Sequence, residues 1–150
     1  MKVYINERCS DIQKAKKHLL KEHFCDGRKY EIQYLASGQP ILICDKEQAG
    51  YISISHTDDT LAIAFASKPV GIDIERKDRN VSANICDSIE EWTKREAYGK
   101  MLGIGINKEI LSAKLPDDIM TFICGEYAVS VCGNERVDGI ITLIDNRLCE

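Results

Sequence analysis

Along the first third of the chain, apolar residues recur at two spacings that take turns. Met1–Asn6, with Val3, Tyr4 and Ile5 at its centre, reads as a short strand. From Ser10 the apolar residues Ile12, Ala15, Leu19 and Leu20 line one face in steps of three and four with Leu19 and Leu20 adjacent, followed by Phe24, which predicts a helix to about Phe24. Ser10 stands at its N-cap with Gln13 at the capping-box position, Lys14, Lys16, Lys17 and Lys21 lie on its outer face, and Gly27 stops it. Glu31–Leu35 and Ile41–Cys44 are strand-like runs separated by the turn Ser37-Gly38-Gln39-Pro40. Tyr51–Ser55 alternates and ends at Ser55-His56. Asp58-Asp59 then turns the chain into Leu61–Ala66, the second strand of a hairpin.

After Ser67–Pro69 the order starts again. Val70–Glu75 is a strand, and a helical stretch runs from about Ser82 to Leu102, in one piece or two, until Gly103 and Gly105 stop it. Asn107–Asp118 reads as a loop or short helix. Three further strands follow at Ile119–Cys124, Tyr127–Cys132 and Gly139–Ile144. The expected class is α+β: two pseudo-symmetric α/β halves with mostly antiparallel strands. The halves are residues 1–66 and 67–150, packed as one compact domain.

Composition adds boundaries. At 150 residues, 44% hydrophobic and 29% charged, the chain has enough apolar side chain for one core. No apolar run approaches the roughly 20 residues of a membrane span, and the N-terminus lacks a signal-type apolar stretch. Seven widely spaced cysteines without a Cys-x-x-Cys pair argue against a zinc ribbon or a disulfide framework. They predict buried or half-buried reduced thiols in a cytoplasmic protein. The net charge of −4 is uneven: residues 1–30 hold eight Lys and Arg against four Asp and Glu. The profile does not suggest a dedicated DNA binder, while the basic first segment suits an anionic ligand or an acidic protein.

The densest chemistry lies between Val70 and Lys100. In the strand, Val70, Ile72 and Ile74 alternate with Gly71, Asp73 and Glu75, so one face is apolar and the other carries two carboxylates beside a glycine. In the following helix the apolar stripe Ile85, Ile89, Trp92 steps next onto Glu96, a costly place for a carboxylate without a partner. Asp73, Glu75 and Glu96 would meet as three oxygen ligands of a hard divalent cation, Mg²⁺ or Mn²⁺. Lys100, one turn beyond Glu96, would neutralise phosphate oxygens. Ser55 and His56, adjacent on a strand, point to opposite faces and so form no Ser–His dyad. His56 is open to a structural role or a phosphate contact.

Four segments, Gly38-Gln39-Pro40, Ser53-Ile54-Ser55-His56-Thr57, Val70–Glu75 and Trp92–Lys100, together resemble the motifs of the 4′-phosphopantetheinyl transferase superfamily, in its monomeric Sfp-type branch. The resemblance spans about residues 30–105 and is carried by the last two segments. It implies the two-half fold and a pseudo-dimeric monomer. It implies Mg²⁺ bound by Asp73, Glu75 and Glu96, and coenzyme A contacted by Lys100, His56 and Ser55. By the same resemblance, a serine of an acyl or peptidyl carrier protein would attack the β-phosphate and 3′,5′-ADP would leave. Glu96, directly or through water, would be the base, with Lys100 the second catalytic group.

The chain departs from the family pattern at several positions. Gln39 stands in place of a lysine, Arg95 in place of a lysine and Ser53 in place of an asparagine, and the chain is shorter than the branch's usual members. Two rival readings follow: a degenerate member that binds a carrier or synthase protein without catalysis, and another Mg²⁺-dependent phosphotransferase or nuclease.

Overall fold

The computed structural model describes residues 1–148. Among the described residues ten strands form two sheets, mostly antiparallel, with three α-helices, an α+β architecture. Strands β1 (Lys2–Glu7), β2 (Tyr30–Tyr34), β3 (Pro40–Cys44), β4 (Glu47–Thr57) and β5 (Thr60–Ala66) belong to a seven-stranded sheet. Strands β9 (Gly139–Ile144) and β10 (Arg147–Leu148) complete it, in the order β10-β9-β1-β5-β4-β3-β2. Its one parallel pairing is β1 with β9, so a strand from the end of the chain lies beside the first. Strands β6 (Val70–Arg76), β8 (Tyr127–Gly133) and β7 (Met120–Cys124) make the second sheet, in that order.

Alternation explains the layering. Val3, Ile5, Ala62 and Ala64 from the large sheet meet Val70, Ile72, Ile74, Val129 and Val131 from the small one in a closed core. The outer face of the large sheet is covered by α1 (Ile12–Leu19), whose Ala15 and Leu19 are buried against Leu61, Ile63 and Leu143. The outer face of the small sheet is covered by α2 (Ile89–Leu102). A short α3 (Lys108–Ser112) follows. No helix among the described residues is long and apolar enough to cross a membrane.

Several local expectations shift. The cap of α1 is Asp11, whose side chain accepts from the backbone of Gln13 and Lys14, and the helix ends in a π-helical turn, Leu20–Phe24. Helix α2 starts only at Ile89, because Ser88 caps it by accepting from Glu91 N. Ile85 therefore sits outside the helix and is exposed. The buried stripe of α2 is Ile89, Thr93 and Ala97; Trp92, Glu96 and Lys100 run along its border, half-buried. Cys25 and Cys44 form a disulfide between the end of the first helical segment and β3, against the expectation of reduced thiols at both. Cys9, Cys86 and Cys132 are buried, and burial pushes the Cys132 thiol up to about 12. Cys124 donates to Glu7, and Cys149 lies outside the described residues.

Candidate functional site

Strand β6 places the site because its two faces do different work. Its Ile72 and Ile74 side chains enter the core, which turns Gly71, Asp73 and Glu75 toward α2. Gly71 is the contact point: a Cβ there would run into the Ala97 carbonyl and lie 2.7 Å from Met101 N. The glycine expected to admit a close approach admits the backbone of α2. Thr93 fixes the rotation of that helix, its hydroxyl 2.8 Å from Ser130 Oγ of β8, which also meets Thr121 at 2.8 Å. Arg95 holds the far side, bonded to Glu91 and to the carbonyls of Ile110 and Ala113. It braces α2 against α3 and stands away from the acids.

Asp73 is 4% exposed. One oxygen, Oδ1, accepts from Lys100 Nζ and from Ser55 Oγ, each at 2.9 Å. The other, Oδ2, is buried with no partner, an arrangement that costs about 1–3 kcal/mol. Burial pushes the Asp73 carboxyl up, while the charge and hydrogen bond of Lys100 and the hydrogen bond of Ser55 pull against it. Glu96 is likewise pushed up by burial first and then by the Asp73 charge. Glu75 is paired with Arg79. The three acids sense one another electrostatically, yet no group of three His, Cys, Asp or Glu among the described residues is close enough to hold a metal ion as it stands. In donor chemistry the set still fits a hard divalent cation: three carboxylates, one with an orphaned buried oxygen.

Ser55 turns out to be a structural link. It is buried, donates to Asp73 and accepts from Ile74 N at 3.3 Å, so its hydroxyl is not open to a phosphate. Ser53 accepts from Ile72 N at 3.0 Å in the same way. His56 is exposed on the opposite face of β4, as the alternation requires. Lys100 also donates to Ile72 O at 3.1 Å.

A cavity of about 250 Å³ opens beside Lys100, lined by Tyr34, Gly38, Pro40, Ser53, Gly103 and neighbours. It exists because the β2–β3 turn folds onto the end of α2. Gly38 and Gly103, at φ +90° and +76°, pack backbone to backbone, where a Cβ would collide, and Gln39 Nε2 donates to Met101 O at 3.2 Å. Among the described residues Lys100 is the one charged side chain in the lining. A second depression, carrying Lys14, Lys16 and Lys17 of α1, shares Ile32 with the first. Sequence reasoning missed Arg79, which pairs with Glu75 and lies 5.9 Å from the Trp92 ring centre; the pair closes across the turn that follows β6, where no spacing rule marks a contact.

No family model and no curated protein matches the sequence.

Proposed function

We propose that this chain is a shortened phosphopantetheinyl transferase of the Sfp type, with pseudo-symmetric halves 1–66 and 67–150. It would transfer 4′-phosphopantetheine from coenzyme A to a serine of an acyl or peptidyl carrier protein. The observation that supports this best is convergence. Lys100 joins Asp73 and Ser55 by hydrogen bonds and lines a cavity together with Gly38, Pro40 and Ser53, so residues of all four motif segments gather at one place. The lysine-bearing depression next to it offers further positive charge for a polyanionic nucleotide.

Asp73, Glu75 and Glu96 would hold Mg²⁺ or Mn²⁺, which supplies positive charge against the pyrophosphate. Lys100, within reach of both the cavity and Asp73, neutralises a phosphate oxygen as charge develops. Glu96, half-buried on α2 beside Asp73 and Lys100, would take the proton of the carrier serine, directly or through water. The serine oxygen bonds to the β-phosphorus, the bond to the bridging oxygen breaks, and 3′,5′-ADP leaves with the electron pair. Ser55 keeps Asp73 in place and takes no part in phosphate contact.

Calorimetric titration of coenzyme A with Mg²⁺, then with EDTA, tests the reading, followed by the intact mass of a carrier protein. Binding that needs the metal and weakens in Glu96→Gln, with carrier mass rising by one phosphopantetheine, is expected. Absence of binding from folded protein sinks it. That outcome would favour the second reading, a carrier- or synthase-binding member without catalysis. Gln39 supports that alternative: it is spent on Met101 O and leaves the cavity a single cation.

A further inference from the structure

We propose that Arg79 is the chain's own counter-cation at the acidic site, and that a divalent ion loads by displacing it. The inference rests on the reading of Asp73, Glu75 and Glu96 as cation ligands. Two arginines follow Glu75 closely, and they behave differently. Arg76 turns outward, bonded through two nitrogens to Asp78 and near Asp58 and Glu126. Arg79 turns back. Its guanidinium pairs with Glu75 and lies against Trp92, one helical turn before Glu96. It therefore bridges the strand and the helix that supply the acids.

The pairing offsets most of the site's negative charge without a metal. Three carboxylates face two cations, Lys100 on Asp73 and Arg79 on Glu75. A guanidinium satisfies one carboxylate edge well but cannot be shared as closely among three carboxylates as a small divalent ion. Arg79 is also free to leave: its side chain is 49% exposed, and it sits in the irregular segment between β6 and α2. With the arginine swung out and a divalent ion in, the charges stay close to balanced. The same carboxylate thus serves two cations in turn, and the protein's affinity for metal is set by how firmly Arg79 holds Glu75.

The test is Mn²⁺ titration by calorimetry on the full chain and on Arg79→Gln, Arg79→Lys and Arg76→Gln, with Mg²⁺-dependent tryptophan emission in parallel. Trp92 is the chain's one tryptophan, so emission reports on the residue Arg79 touches. Arg79→Gln should bind Mn²⁺ about threefold to tenfold more tightly, the scale of a part-exposed ion pair and one nearby charge. Arg79→Lys should fall between it and the unchanged chain, and Arg76→Gln should not differ from the unchanged chain. Mg²⁺ should shift the emission of the unchanged chain and leave that of Arg79→Gln nearly still. Equal or weaker Mn²⁺ binding by Arg79→Gln, equal tightening by Arg76→Gln, or binding with no emission change overturns displacement while the cation reading stands. Failure of every variant to bind Mn²⁺ overturns the cation reading and this inference with it.

Discussion

Gly71→Ala gives the sharpest test of how the site is held. The added methyl would enter the Ala97 carbonyl and come 2.7 Å from Met101 N. Both are backbone atoms of α2, so no side chain can rotate away. Real Cβ atoms essentially never approach within 3.0 Å, and the helix must retreat from β6 by roughly 1 Å. Overpacking of this kind costs about 1–3 kcal/mol, and backbone contacts place it in the upper half of that range. For a chain of 150 residues, a loss of about 2–3 kcal/mol lowers the melting temperature by roughly 6–10 °C. The same retreat carries Lys100 away from Asp73, whose 2.9 Å contact cannot stretch by an ångström and remain a hydrogen bond. Thermal unfolding and Mg²⁺ titration of the variant measure both effects. A melting point within 1–2 °C of the unchanged chain, with cation binding intact, would refute the claim that Gly71 sets the distance between strand and helix.

Three further outcomes follow from the same geometry. Asp73→Asn keeps acceptors for Ser55 and Lys100 but removes a buried charge, so urea unfolding of the metal-free variant should come within about 1 kcal/mol of the unchanged chain or show it stabilised, while Mg²⁺ binding disappears. A loss above about 3 kcal/mol would mean the ion pair is structural. Asp73 and Glu96 are both raised above their ordinary values of 3.8 and 4.5, so the folded metal-free chain binds more protons than the unfolded one. The stability this contributes is full below those ordinary values and is lost as pH rises through the raised ones. Unfolding midpoints should therefore climb as pH falls through the raised values toward the ordinary ones of 4.5 and 3.8, and the slope should shrink in an Asp73→Asn, Glu96→Gln double variant. Glu91 and Glu135, which are lowered, act the opposite way and only at lower pH. Replacing Cys25 and Cys44 by serine removes a link across a separation of 19 residues and should cost about 3 kcal/mol, read as a lower urea midpoint; no change would mean the thiols are reduced in solution.

Periodicity located most elements because single-faced strands announce themselves. Val70, Ile72 and Ile74 were legible as a buried face, and Asp58, in the left-handed region at φ +49°, makes the turn of the β4–β5 hairpin where the Asp58-Asp59 pair suggested one. The helix before Trp92 misled because Ile85 extends an apolar spacing that the Ser88 cap cuts off. Spacing gave the right face of α2 to within one position, but which residues lie at the centre depends on where β6 and β8 sit. Thr93 and Ala97 are small enough to let the backbones meet, and small residues carry little hydrophobic signal. Ser55 illustrates a different limit. The sequence placed it opposite His56, correctly, but whether its hydroxyl faces a ligand or a neighbouring strand depends on what packs there. The Cys25–Cys44 bridge joins positions with no spacing signature, so nothing in the pattern marked it.

The outer edge of β6 has a consequence beyond the site. An edge strand normally presents unpaired amides and carbonyls to any extended chain that comes near. Here Ile72 N is met by Ser53, Ile74 N by Ser55 and Ile72 O by Lys100, so side chains finish the edge where a backbone partner is missing. The strand that carries the acids is thereby closed to recruitment by a foreign strand. Substitutions at Ser53 or Ser55 should thus be judged by self-association under stress as well as by melting temperature.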